Sequence, residues 1–478
     1  MVSRIAIIIL FHVFLSLNSH PAKAQAWIKA GYWYYDNGLP VSQINSTLYT
    51  HLICAFANLN SSSYRLSIPS SDDFSAFTNT VKQKNPSITT LLSIGGWDAK
   101  YSTLSAMAGN PTYRKSFIDD SIKTARDYGF QGLDFSWLSV NTIDMENMGT
   151  LFKEWRAAIA LETRNSNLSA LILTTAVQNS TDKKYGSFPI DSMGRNLDWI
   201  HVLAYDYSMP KDDNLTAASA ALYAPDDSDV STDSVIAAWI NAGLPASKLV
   251  LGLPFFGYAW KLANPNENSI GAPATGPAVT KEGDMSYKQI NNYSKTQGAV
   301  GPIYDSSYVV DYVIVGSDWI SYDGADVVRN KVSYAMKKAL LGYVVWEISQ
   351  DDNWELSQAA GGVDSGRGVD SAGGVDSGGG VDHKRPKSRI LIIILTTTAA
   401  VIIVLGLAFY FIRIRILKSK SKETKLKVNN VAVAGDFNNN NPDMIIYSLA
   451  EIGKATDQFI FENKLGEGGF GPVYKVIN

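Results

Sequence analysis

At 478 residues the chain has room for two or three domains, one of which could be a barrel of about 250 residues or more. Its 42 basic and 45 acidic residues leave a net charge of −3, so no global bias points to nucleic acid. A single cysteine, Cys54, excludes an internal disulfide; its apolar setting His51-Leu-Ile-Cys-Ala-Phe56 predicts buried packing, and 11% aromatic content suits a large core or an aromatic binding surface.

Residues 1–24 come first. Arg4, the apolar run Ile5 to Leu17, and Ala22-Lys23-Ala24 before Gln25 form the three regions of a secretory signal peptide. From residue 25 to 358, short apolar strands alternate with amphipathic helices. Strands are expected at Ile28–Tyr34, Leu52–Ala57, Ile88–Ile94, Gly132–Leu138, Ala170–Ala176, Trp199–Tyr205, Leu249–Pro254 and Gly342–Trp346. Helices are expected at Pro111–Tyr128, Asp144–Leu161, Asp233–Ala242 and Ala325–Leu340. Eight strands separated by helices predict an α/β fold, a closed (β/α)8 TIM barrel. The long gap between strands seven and eight, about 258–318, holds Tyr287, Tyr293, Tyr304, Tyr308 and Tyr312 and predicts a small α+β insertion.

Residues 359–389 repeat Gly-Val-Asp from Gly362, Gly368, Gly374 and Gly380, which predicts a flexible solvated tether. Residues 390–412 then run without a charge for 23 positions, enough for one transmembrane helix. Basic residues on both sides make the charge rule weak, so the cleavable signal sets the topology: a type I single-pass protein of the plasma membrane, barrel outside. Sequons at Asn45, Asn60, Asn167, Asn179, Asn214 and Asn292 all precede the span and agree with that orientation. Residues 413–446 form a basic, then Asn-rich juxtamembrane segment, and 447–478 close the chain.

Barrel chemistry gathers at the C-terminal ends of the strands. The fourth strand reads Gly129-Phe-Gln-Gly-Leu-Asp-Phe-Ser-Trp-Leu138, and alternation puts Asp134, Ser136 and Leu138 on one face. Taken alone, Asp134 is either a structural carboxylate hydrogen-bonded to Ser136 or part of a site. Four further stretches carry more weight: Ser93-Ile-Gly-Gly-Trp97, Leu203-Ala-Tyr-Asp-Tyr207, Gly252-Leu-Pro-Phe-Phe-Gly-Tyr258 and Gly342-Tyr-Val-Val-Trp-Glu347. With them the chain from about 27 to 358 resembles glycoside hydrolase family 18, above all its plant class V chitinases.

The resemblance implies a strand-four signature DGxDxDxE, which here departs from the family. Gln131 stands for the first Asp, Asp134 is kept, Ser136 replaces the third Asp, and Leu138 replaces the catalytic Glu. In the family that Glu protonates the leaving oxygen, and the Asp before it orients the substrate acetamide, a substrate-assisted variant of the two-carboxylate scheme. Leucine cannot donate a proton, and loss of general acid catalysis costs about 10²–10⁴-fold. The resemblance therefore implies a catalytically impaired barrel. It also implies that Trp346 floors the central subsite and that Tyr205 and Asp206 contact the sugar there. Trp33, Trp97, Trp260 and Trp319 are either further platforms for a pyranose or ordinary barrel packing.

At the far end, Gly466, Gly468, Gly471 and Val473 match the glycine-rich nucleotide loop of protein kinases. With Tyr447-Ser-Leu-Ala-Glu-Ile-Gly-Lys-Ala-Thr-Asp-Gln-Phe459 before it, this stretch looks like the start of a plant receptor-like kinase domain. It stops before the catalytic residues, so no phosphotransfer is expected from the chain as written. The expected partners are chitin or N-acetylglucosamine oligosaccharides, the membrane and a co-receptor kinase, with no cofactor and no metal. The alternatives are an active membrane-tethered chitinase and an adaptor or decoy that works through protein partners.

Overall fold

The computed structural model describes residues 27–138, 142–178, 188–225, 230–363, 449–457, 459–460, 463–468 and 471–476. The chain divides into two compact units, Met1–Asp370 and Ser371–Asn478.

The first unit is built on eight parallel strands: β1 (Ile28–Tyr34), β2 (His51–Leu59), β4 (Thr89–Gly95), β5 (Gly132–Ser136), β6 (Ile172–Gln178), β7 (Trp199–Leu203), β8 (Leu249–Pro254) and β15 (Gly342–Trp346). Each pairs in parallel with its neighbours, and β1 pairs with both β2 and β15, so the sheet closes on itself. This is the expected eight-stranded barrel. A two-residue strand, β3 (Leu66–Ser67), adds an antiparallel hairpin to the end of β2. The fourth strand is shorter than the sequence predicts: β5 ends at Ser136, so Leu138 lies on the loop that follows.

Alternation along each strand divides the apolar side chains between two cores. Ala30, Tyr32, Ile53, Leu91, Val250 and Val344 fill the barrel interior. Trp33, Leu52, Cys54, Leu92, Leu133 and Phe135 face the other way, into the layer between sheet and helices. Cys54 is a buried free thiol there, as its apolar run predicts. The covering helices include Asp72–Lys84, Pro111–Asp127, Thr142–Ser166, Thr232–Asn241 and Ala325–Lys337. Their starts are chemically marked: Asn110 accepts from the N–H groups of Thr112 and Tyr113 with Pro111 at the first helical position, and Ser231 and Ser234 form a capping box.

Between β8 and β15 the chain builds the predicted α+β lobe. It has strands β9 (Phe256–Leu262), β10 (Ala274–Pro277), β11 (Asp284–Ser286), β12 (Val300–Asp305), β13 (Val310–Val315) and β14 (Asp318–Tyr322), with a helix at Tyr287–Gln297. The strands pair antiparallel in the order β10-β9-β14-β13-β12, with β11 also on β9.

In the second unit, β16 (Lys464–Gly468) and β17 (Gly471–Tyr474) pair as an antiparallel hairpin that carries Gly466, Gly468, Gly471 and Val473. The expected membrane span 390–412, the expected signal peptide 1–24 and most of the expected tether 359–389 lie outside the described residues; among the described residues no helix is long and apolar enough to cross a membrane. Asn60, Asn167, Asn214 and Asn292 are exposed, Asn45 is half-buried, and Asn179 lies outside the described residues.

Candidate active-site cleft

At the C-terminal ends of the barrel strands lies a cleft of about 790 Å³ between the barrel mouth and the lobe. Ser136, Leu138, Tyr205, Asp206, Trp97 and Trp346 all line it, so residues from position 97 to position 346 converge as the strand pattern requires.

Trp346 forms the floor. Only 8% exposed, it stacks on Phe56 (centroids 5.7 Å apart, planes at 15°) and packs against Tyr32 at 5.1 Å. Trp97 stands edge-on to it at 4.6 Å and is 47% exposed, which leaves an aromatic surface open to a ligand. Two glycines in Ser93-Ile-Gly-Gly-Trp97 make this approach possible. Both have positive φ, +110° at Gly95 and +81° at Gly96. A Cβ on Gly95 would meet the Ser136 carbonyl oxygen at 2.3 Å, and one on Gly96 would meet the Phe56 ring at 2.6 Å.

Beneath the floor, Asp134 is fully buried. Ser93 and Thr174, its register neighbours on β4 and β6, each donate to it at 2.7 Å, and the Tyr32 hydroxyl donates at 2.9 Å. Ser136, offered above as its partner, is not among these donors; it sits one layer higher, where the same face reaches the cleft. Burial opposes the Asp134 charge, but neighbouring His201 and the hydroxyl donors outweigh it and hold the carboxyl below the usual range. The indole N–H of Trp199 can only donate, so His201 Nε2 accepts from it at 2.8 Å and Nδ1 carries the ring proton toward Tyr32 at 2.8 Å.

Asp206 follows β7 with a positive φ of 60°, a conformation that Asp tolerates better than most residues. Burial raises its carboxyl to about 6, despite a hydrogen bond from Tyr258 at 2.9 Å and the charge of Lys211. Glu347 follows the floor tryptophan but does not face the cleft. It is fully buried, with Asn37 donating at 2.7 Å and Ser349 donating from both its N–H and its hydroxyl, and burial raises its carboxyl.

Several expected site residues belong elsewhere. Gln131 lies at the N-terminal end of β5, where its carbonyl accepts from the N–H and hydroxyl of Thr90 at 2.9 and 3.0 Å; it is a strand tie outside the cleft. Trp33 is fully buried in the outer core, stacked on Phe77 at 5.2 Å, because its parity on β1 is opposite to that of Tyr32. Trp260 and Trp319 pair across β9 and β14 and pack edge to face at 5.6 Å as the buried core of the lobe. None of these three can present a ring face to a ligand. The strand pattern could have pointed to Tyr32 and Phe56, which line the cleft in their place, and Tyr258 was already within a quoted motif.

The family model for glycosyl hydrolases family 18 matches residues 28–351. A class V chitinase of Arabidopsis thaliana is 43% identical over 359 residues, covering 74% of this chain and 94% of its own length. Among solved structures, a class V chitinase mutant from Nicotiana tobaccum in complex with NAG4 superposes with TM-score 0.68 at 46% identity, over 70% of this chain and 98% of that one. A chitinase-like agglutinin from Robinia pseudoacacia does so with TM-score 0.66 at 42% identity, again over 70% and 98%. The matches take in nearly the whole of each of those two chains, and the family match falls within the first compact unit of this one. On that family match and these identities, the chain belongs to glycosyl hydrolases family 18 and is closely similar to the plant class V chitinases.

Proposed function

We propose that this protein is a membrane-anchored, chitinase-like receptor that binds chitin or N-acetylglucosamine oligosaccharides without cleaving them at a useful rate. One observation carries the reading: the cleft keeps its aromatic floor of Trp346, Trp97 and Phe56, while Ser136 and Leu138 occupy the signature's two catalytic carboxylate positions. Aromatic faces bind the apolar face of a pyranose with no charge on the protein, whereas glycosidic cleavage needs a proton donor at the leaving oxygen. The carboxylates beside the floor are no substitute: Asp206 is held by Tyr258 on the wall and Glu347 is buried behind the floor, while Glu282 and Asp284 line the cleft from the lobe and not from β5, which carries the signature.

Two relatives support the sugar class. The Nicotiana chitinase is described in complex with NAG4, and a Cycas revoluta chitinase 36% identical to this chain in complex with (GlcNAc)4. The signal-like leader, the uncharged run 390–412 and the sequons support an anchored, extracellular barrel. The glycine-rich loop near the end supports a link to kinase signalling, with a partner kinase supplying phosphotransfer.

The test pairs two measurements on the purified barrel: calorimetric titration with chitotetraose and release of reducing ends from the same sugar. Saturable binding with no release above the buffer rate is expected. Release at rates typical of secreted chitinases refutes the receptor reading.

A further inference from the structure

Behind the Asp206 wall of the cleft lies a second, much smaller cavity of about 10 Å³, close to the room that one water needs. Tyr205, Asp206, Phe256 and Tyr258 line the cleft on one side and this cavity on the other. The remaining walls include Ser219 and Asp323, 6% and 2% exposed. Each has a buried polar atom without a hydrogen-bond partner, Ser219 Oγ and Asp323 Oδ1. A buried carboxylate oxygen left unpartnered is costly, and native proteins satisfy such atoms with ordered water where room exists.

The other oxygen of Asp323 is taken. Oδ2 pairs with Lys331 Nζ, which is 1% exposed and also donates to the carbonyl of Ala220. Asp311 stands nearby and accepts from the Gly324 N–H. Ser219 accepts through its own carbonyl from the N–H of Tyr207 at 2.9 Å, and Tyr207 directly follows the positive-φ residue Asp206.

We infer that this cavity is an internal hydration site in which one water bridges Asp323 Oδ1 and Ser219 Oγ, making the Lys331–Asp323 pair a positioning device for Asp206. The pair grips two consecutive residues: Lys331 holds Ala220 directly, and Asp323 holds Ser219 through the water. Ser219 in turn fixes the backbone beside Asp206, whose conformation needs such support. Asp323, Lys331 and Ser219 touch no ligand; they set the angle at which Asp206 and Tyr258 face the sugar. The functional half of this inference rests on the sugar-binding reading.

Asp323→Asn leaves Lys331 as a buried charge with a poorer partner and is prone to misfolding, so Ser219→Ala is the informative variant. Ligand-free crystals of the wild-type barrel are expected to show a water within hydrogen-bond distance of Asp323 Oδ1 and Ser219 Oγ. In Ser219→Ala that density disappears, the melting temperature falls because Asp323 Oδ1 loses its partner, and the chitotetraose affinity of the folded protein falls by about three- to tenfold, as for one lost hydrogen bond. Two results overturn the inference: a wild-type cavity without water density, or Ser219→Ala binding chitotetraose as tightly as wild type. Wild-type protein that binds no chitotetraose refutes the sugar reading and the positioning role together, while the ligand-free density still decides the hydration site.

Discussion

Replacing Leu138 by Glu together with Ser136 by Asp should convert the barrel into a hydrolase. Leu138 is half-buried at the cleft edge, so a glutamate there keeps contact with solvent and with a bound sugar. Position 136 is harder, being 4% exposed and two residues from the charged Asp134 on the same strand face. At a rise of about 3.3 Å per residue the two carboxylates lie about 6.6 Å apart, which at an effective dielectric of about 20 repels them by about 2.5 kcal/mol. Hydroxyl donors keep Asp134 charged, so this repulsion persists and raises the new carboxyl by about 2 pKa units, which still lets it ionise near neutrality. The gain in turnover from restoring the general acid should be at least about 10²-fold, the lower end of general acid catalysis, because the surrounding shell has not been tuned for it. Reducing-end release from chitotetraose measures it, with calorimetry to confirm that affinity is retained. Wild type matching the double variant, or a double variant that binds sugar normally and stays inert, refutes the reasoning.

Three other outcomes follow from the cleft and its supports. Trp346→Ala should weaken chitotetraose binding by about 30-fold, the effect of losing a central aromatic anchor, whereas Trp319→Ala should cost about 3–5 kcal/mol of stability with affinity unchanged in folded protein; calorimetry and denaturant titration separate the two. Asp206→Asn tests the buried carboxyl. Its raised value of about 6 means that stability from this group is present at pH below about 4 and is lost as pH rises through 6, so the melting temperature of the variant should gain on wild type between pH 4 and 6; a flat difference contradicts the assignment. Gly95→Ala forces a Cβ to 2.3 Å from the Ser136 carbonyl at φ +110°, so it should lower stability by at least about 1–3 kcal/mol and reduce Trp97-dependent sugar binding, both measurable on one preparation.

The barrel was legible because its strands are short apolar runs bounded by helices, and three of the eight were bounded to the residue. The overextension to Leu138 has a physical cause: the apolar pattern of Phe135, Trp137 and Leu138 continues past the point where β5 stops pairing with β6. The site was legible where a motif fixes position, as at Trp97, Asp206 and Trp346. It was less so where only residue type was available. Tryptophan suits a core as well as a sugar platform, and only strand parity separates Trp33 from Tyr32. Trp260 and Trp319 needed the cross-strand register of β9 and β14, which the sequence does not display. The Asp323–Lys331 pair was equally hidden, since its partner atom on Ala220 lies 111 residues away.

The closure of the ring by β15 against β1 ties ligand competence to completion of the fold. The two strands are separated by more than 300 residues, so this pairing is among the most costly in loop entropy and is expected to form late. Trp346 ends β15, and its packing partners Tyr32 and Phe56 come from β1 and β2. A folding intermediate with seven strands assembled would therefore have walls but no floor. Only a finished barrel can present the sugar platform, which makes glycan capture a built-in check that a molecule has completed its fold.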